Sequence, residues 1–195
     1  MLFSTLSFHD AVFGVVMICW LFFGLAFFLR KRPPHTEARK REPKAMIGIV
    51  LQGVGFFLAW AMRRPATTVD IVTTWTICLG ALTVLVAFVS VWLTTSAVFA
   101  LGKQWAIQAQ IVEDHKLITN GPYAIVRHPI YTGMLGMLIA TGLVTTYPAI
   151  LAAAVAVYIV GFYVRTSQEE KLLREAFGSE YEAYAKRVPA LVPFV

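Results

Sequence analysis

Charge in this 195-residue chain is confined to a few short clusters, and the four stretches between them carry none. Residues 11–29 run 19 positions without a charged side chain, 45–62 run 18, 71–102 run 32 and 129–164 run 36. About 20 apolar residues are what a helix needs to cross the hydrocarbon core of a bilayer. Only 14% of the chain is charged, against roughly a quarter in an average soluble domain. The pattern therefore excludes an ordinary soluble fold and predicts an all-α polytopic membrane protein.

The first run ends at Arg30-Lys31-Arg32-Pro33-Pro34, so charge and proline stop its helix. Residues 1–10 carry no Lys or Arg, unlike the basic start of a secretory signal peptide, and the segment is expected to stay in the mature protein. The second run closes at Arg63-Arg64-Pro65. The third has no turn chemistry to make a hairpin and reads as one long helix, tilted or protruding. The fourth is broken by Thr145-Thr146-Tyr147-Pro148, which predicts two short helices in a hairpin. Five spans follow, at about 11–29, 45–62, 71–98, 129–145 and 148–165, forming a single membrane domain over 1–195 with short cytoplasmic C-terminal helices. Residues 30–44 read as an exposed connection without packed structure. Cys19 and Cys78 lie far apart inside apolar runs and read as small core residues. Gly53-Val54-Gly55 and Gly133-Met134-Leu135-Gly136 offer small faces, taken as intramolecular packing, and leave oligomeric state open.

Basic residues set the orientation. Seven lie in 30–44, three in 103–127 and five from Arg165 onward, with only Arg63 and Arg64 on the other face. Fifteen of 17 positive charges thus fall on one side, predicting a cytoplasmic C-terminus and an N-terminus outside. The charge marks flanks of spans, and no nucleic-acid partner is expected.

Two cytoplasmic segments hold the polar chemistry. Residues 110–131 read QIVEDHKLITNGPYAIVRHPIY, with a turn signal at Asn120-Gly121-Pro122 and Arg127-His128-Pro129 at the mouth of the fourth span. The bland reading makes Arg127 and His128 interfacial anchors. The second segment begins at Arg165-Thr166-Ser167-Gln168-Glu169-Glu170, where Arg165 and Glu169 share one helix face. Ser167 with Glu170 and Ser179 with Glu182 fit capping boxes, predicting surface helices at about 167–177 and 180–187, with Glu170 and Glu182 as helix-end complements. A helical hairpin returns its ends to the same membrane face, so His128 and Tyr131 are expected to face Arg165 and Glu169. Such a cluster at a membrane boundary is expensive unless it binds something.

Leu117-Ile118-Thr119-Asn120-Gly121-Pro122-Tyr123, Val126-Arg127-His128-Pro129-Ile130-Tyr131, Arg165, Glu169-Glu170, Leu173, Phe177-Gly178, Tyr181, Tyr184 and Val188-Pro189 resemble the C-terminal signature of isoprenylcysteine carboxyl methyltransferases and related phospholipid methyltransferases. The resemblance covers about half of the chain, from Leu101 onward. It implies a cytosol-facing pocket for S-adenosylmethionine built from segments 101–131 and 165–195. By resemblance, His115, Lys116, Leu117 and Ile118 match the run that wraps the cofactor, and Tyr123 its following tyrosine. His128, Pro129, Ile130 and Tyr131 match a second cofactor run, Glu169 a carboxylate closing the site, Arg165 an arginine implicated with substrate, and Gln110 a further cofactor-side residue.

That cofactor carries a sulfonium, an ammonium and a carboxylate, which a mixed-charge cluster suits. Methylating an ionised carboxylate mainly requires two atoms held in line in a dry site. Arg165 could hold an anionic acceptor by a forked contact. No metal is expected, since the histidines lack a ligand spacing. The leading expectation is methyl transfer to a lipidic or prenylated acceptor within the bilayer. N-methylation of a phospholipid amine, a nicotinamide-dependent membrane reductase and a non-enzymatic scaffold are the alternatives.

Overall fold

The computed structural model describes residues 7–29, 40–41, 45–64, 72–102, 110–111 and 117–192. Six helices carry these residues: α1 Phe8–Phe28, α2 Ala45–Ala61, α3 Thr74–Leu101, α4 Pro129–Thr145, α5 Pro148–Phe177 and α6 Ser179–Ala185. Between them lie a 3-10 turn, Gly121–Ala124, and two short strands, β1 Lys40–Arg41 and β2 Gln110–Ile111.

Local capping sets the helix starts. Ser7 Oγ accepts from Asp10 N at 3.0 Å while Asp10 Oδ2 accepts from Ser7 N at 3.3 Å, so α1 begins before the uncharged run and includes His9 and Asp10. Thr73 and Thr76 exchange the same pair of bonds, moving the start of α3 from the expected 71 to 74. The break at Thr146-Tyr147 falls as expected, with Pro148 opening α5. α5 then runs unbroken past Arg165 to Phe177. The expected separate helix at 167–177 is therefore the end of α5, and Ser167 is no cap: its Oγ donates to Val164 O, 3.0 Å away, within the helix. Nor is Ser179 the cap of α6, since Gly178 occupies that position and the Glu182 carboxylate accepts from Arg174 Nε at 2.8 Å.

α4 is the hub. Its Met137, Ala140 and Val144 pack with Val12, Val16, Cys19 and Phe23 of α1 and Ala87 of α3. Its Tyr131 and Leu138 pack with Ala59 of α2 and Ala154, Tyr158 and Phe162 of α5. Small residues allow this: a Cβ on Gly133 would meet Ser90 O of α3 at 2.8 Å, so this glycine faces a neighbouring helix of the same chain. Across the α2–α5 crossing, a Cβ on Gly48 would lie 2.6 Å from Gly161 O, and one on Gly55 2.8 Å from Ala154 O. Gly53, expected to serve packing, meets nothing within 4 Å.

Large apolar side chains such as Leu21, Phe22, Phe57, Leu85 and Trp92 point outward, the inverse of a soluble protein. Cys19 is buried as expected, but Cys78 is exposed on this apolar exterior, because α3 turns only one stripe toward the bundle. Inside, hydroxyls return to carbonyls one turn back, as in Thr83 to Leu79, Ser90 to Val86 and Thr141 to Met137. α1, α3 and α5 are long and apolar enough to cross a membrane; α2 and α4 are apolar helices of 17 residues.

β1 and β2 pair antiparallel, Lys40 opposite Ile111 and Arg41 opposite Gln110. Part of the 30–44 connection is thus structured, contrary to expectation, because it finds backbone partners in the loop after α3. At the opposite end, Arg64 N donates to Thr145 O at 2.8 Å and Thr146 Oγ1 to Met62 O at 2.6 Å, bringing the end of α2 to the α4–α5 turn.

Candidate active site

The hairpin returns the start of α4 to the last three turns of α5. Tyr131 lies three residues along α4 from His128, and Glu169 one turn beyond Arg165 on α5. Glu169 Oε1 accepts from the Tyr131 hydroxyl and, at 3.2 Å, from Arg165 Nε. His128 Nδ1 stands 3.7 Å from Glu169 Oε2. Its ring stacks on Tyr131 with centroids 5.8 Å apart, and the Arg165 guanidinium lies over the tyrosine ring, 4.6 Å from its centroid. The four residues expected to converge do so.

A second carboxylate supports them. Glu170 Oε1 accepts from Arg127 Nη2 at 2.9 Å and Nε at 3.1 Å and meets His128 Nε2 at 3.2 Å, while Oε2 takes Arg174 Nη2 at 3.1 Å. Arg127 is therefore no snorkelling anchor. Its Nη1 also donates to Ala185 O and Val188 O at 2.9 and 2.5 Å, tying the C-terminal tail to the site. The tail continues alongside α4, with Arg127 N donating to Pro189 O, His128 N to Ala190 O and Thr132 Oγ1 to Leu191 O. Glu170 does more than complement a helix end: it joins α5, the α4 entrance and, through Arg127, the tail.

Tyr123 is buried in the 3-10 turn, and its carbonyl accepts from Tyr184 OH at 2.7 Å. Burial first and the Glu169 carboxylate second push the Tyr123 phenol up, so it stays neutral. Burial likewise pushes the Tyr184 phenol up to about 12, against the opposing effect of Arg127, preserving its role as donor. Pro129 is buried, Ile130 packs against the α2–α4–α5 core, and Leu117 and Ile118 are half-buried. Gln110 lies in β2, whose backbone runs beside α5. His115 and Lys116 lie outside the described residues.

Two contributors escaped the sequence reading. Tyr158 OH donates to Tyr131 O at 2.8 Å, anchoring the first turn of α4 from α5. Gln52, buried in α2, presents Oε1 to Arg165 Nη1 at 3.5 Å. Its signal was available: an amide in the middle of an otherwise apolar span is a functional pointer by default.

The sequence model of the isoprenylcysteine carboxyl methyltransferase (ICMT) family matches residues 67–175, more than half of the chain and including His128, Tyr131, Arg165 and Glu169. The chain belongs to this family. Protein-S-isoprenylcysteine O-methyltransferase B of Arabidopsis thaliana is 40% identical over 106 residues, 53% of each chain. The Homo sapiens protein-S-isoprenylcysteine O-methyltransferase is 36% identical over 106 residues, 53% of this chain and 37% of the human one. The chain thus spans about half the length of the plant relative and less of the human one. A solved structure of the eukaryotic intramembrane Ras methyltransferase ICMT aligns with a TM-score of 0.54 at 26% identity, covering 80% of this chain and 54% of that one. The resemblance read from the motifs therefore holds, as does the membrane-helical fold.

ICMT family membership implies S-adenosylmethionine as methyl donor, and the donor set can be tested against it. Two carboxylates, an imidazole, phenols and guanidinium groups stand together at one end of the α4–α5 hairpin. Glu169 is the more open carboxylate, with its side chain 20% exposed against 12% for Glu170. A cofactor with both cationic and anionic groups fits such a set. Among the described residues no cluster could hold a metal ion.

Proposed function

We propose that this protein transfers a methyl group from S-adenosylmethionine to the carboxylate of a prenylated, lipid-embedded cysteine acceptor. The observation that carries the reading is the convergence of His128, Tyr131, Arg165 and Glu169 at one end of the hairpin in a chain of this family.

The bound cofactor supplies an electrophilic methyl group on a positively charged sulfur. Glu169 draws that charge, while His128 and Tyr131 hold the carboxylate in position by stacking and hydrogen bonding. Leu117, Ile118, Tyr123, Pro129 and Ile130 form the cofactor's apolar surroundings, and Gln110, His115 and Lys116 are assigned to the cofactor by family resemblance alone. Arg165 orients the acceptor carboxylate, whose attack needs no proton removed. Glu170 positions rather than reacts, holding Arg127 and His128. The tail at residues 188–191 limits water access to the start of α4.

In the same reading all five apolar helices cross the bilayer, α2 and α4 near the lower limit of spanning length. The N-terminus lies outside, and the site faces the cytoplasm where the basic residues gather. The prenyl chain of the acceptor enters from the lipid between helices.

Purified protein incubated with methyl-labelled S-adenosylmethionine and an N-blocked farnesylcysteine tests this directly. The expected product is a labelled, base-labile methyl ester. Labelled phospholipid amine and no ester would overturn the acceptor assignment, and no saturable cofactor binding would overturn the methyltransferase.

A further inference from the structure

Gln52 is the eighth residue of α2, about 10 Å along the helix from Ala45. It is 2% exposed, and its Nε2 has no hydrogen-bond partner among the described residues. Its orientation is not interchangeable. Oε1 faces Arg165 Nη1 at 3.5 Å, and a reversed amide would set donor against donor. Arg165 therefore selects the rotamer that leaves Nε2 with unspent N–H groups. A buried donor left unmet is destabilising, and such groups in native proteins call for an explanation.

The helix crossing keeps this pair in place. A Cβ on Gly48 would lie 2.6 Å from Gly161 O, and one on Gly55 2.8 Å from Ala154 O, so α2 and α5 touch through backbone about one turn before and one turn after Gln52. Glu169 and Glu170 lie beyond Arg165 toward the charged end of α5, whereas Gln52 lies within the apolar run 45–62. The polar cluster thus has a buried amide donor on the side toward the apolar interior of the bundle and carboxylates on its other side.

We infer that Gln52 is an acceptor-binding residue: its Nε2 donates to the carboxylate of the prenylated acceptor, completing with the Arg165 guanidinium a two-donor clamp. The inference rests on the methyltransferase reading above and adds the group that recognises the acceptor's anionic end from the bilayer side. A neutral donor suits this depth, because it recognises an anion without burying a further charge.

The test compares wild type with Gln52→Leu, Gln52→Met and Gln52→Glu, using N-blocked farnesylcysteine, its neutral carboxamide as competitor, and separate titration of S-adenosylmethionine. Wild-type ester formation establishes the underlying reading; its failure removes that reading and the clamp together. Given turnover, Gln52→Leu and Gln52→Met should raise the acceptor KM about tenfold or more, the loss expected for a hydrogen bond to a charged group. Cofactor Kd should stay within about twofold on the same scale. Gln52→Glu should lose more, since it sets a carboxylate against the acceptor's own. The preference for acid over carboxamide should shrink in all three. An unchanged acceptor KM, an equal loss of cofactor affinity, or failure of all three variants to fold would each overturn the assignment in favour of a structural amide.

Discussion

Glu169 and Glu170 are adjacent in sequence and divided in role by which neighbours reach them. Glu170 is enclosed by Arg127, His128 and Arg174, whereas Glu169 meets Tyr131 and Arg165 and remains more open. Glu169→Gln should therefore weaken S-adenosylmethionine binding by about tenfold or more, the range for losing a charge-assisted contact, and lower thermal stability less than Glu170→Gln, because the amide oxygen can still accept from Tyr131 and Arg165. Calorimetric titration alongside a melting curve separates the two effects. Glu170→Gln should behave differently in kind, lowering stability by about 3 kcal/mol because it takes the carboxylate from the largely buried Arg127 guanidinium, a loss visible as a depressed Tm in detergent. Arg165→Lys tests the forked contact: the lysine keeps the charge but not the geometry, so acceptor turnover should fall while cofactor affinity changes less. The sequence spacing put Arg165 and Glu169 on one face, but it assigned Glu170 only to the helix end. The Arg127 that binds it comes from 43 positions away, a pairing no local pattern encodes.

Among the elements, the α2–α5 crossing sets where Arg165 and Gln52 meet. Gly48 and Gly53 lie on the same helix and differ in surroundings: a Cβ at 48 meets backbone and Arg165 within 3 Å, whereas one at 53 meets nothing within 4 Å. Gly48→Ala should push the helices apart, reducing both Tm and methyl transfer, while Gly53→Ala should be neutral or slightly stabilising through helix propensity. Parallel melts and activity assays of the two variants check this, and equal behaviour would contradict the crossing. The Gly-Val-Gly run at 53–55 is legible as small residues, but only its second glycine packs; which helix face turns inward depends on the partner. The hairpin break was legible because Pro148 and the threonines before it end one helix and begin another within a few residues. The continuation of α5 was not, since Ser167 and Glu170 satisfy a capping pattern that the helix overrides by bonding Ser167 to its own preceding turn.

For the molecule as a whole, the C-terminal tail closes one end of the bundle on the start of α4. Its carbonyls at Val188, Pro189, Ala190 and Leu191 accept from Arg127, His128 and Thr132. Ending the chain after Arg187 should abolish cofactor binding and increase hydrogen exchange at the amides of Arg127 and His128, while α1 and α3 keep their protection. Unchanged exchange at those two amides would show the tail to be dispensable. Orientation is checked by reporters at Val195: a fluorescent protein should be bright and a periplasmic phosphatase inactive, as the basic-residue asymmetry requires.

The sequence by itself determined the membrane class, the five apolar helices and the meeting of His128 and Tyr131 with Arg165 and Glu169. Charge-free length and a single proline break are local properties, and a hairpin of nearly equal arms returns its ends to one level. Tertiary structure alone decided that Gln52 of α2 joins that site, that Glu170 gathers Arg127 and the tail, and that β1 pairs with β2. Each of these needs residues far apart in the chain to find one another, and their proximity comes from backbone contacts at glycines and from buried polar groups seeking partners, neither of which leaves a periodic trace.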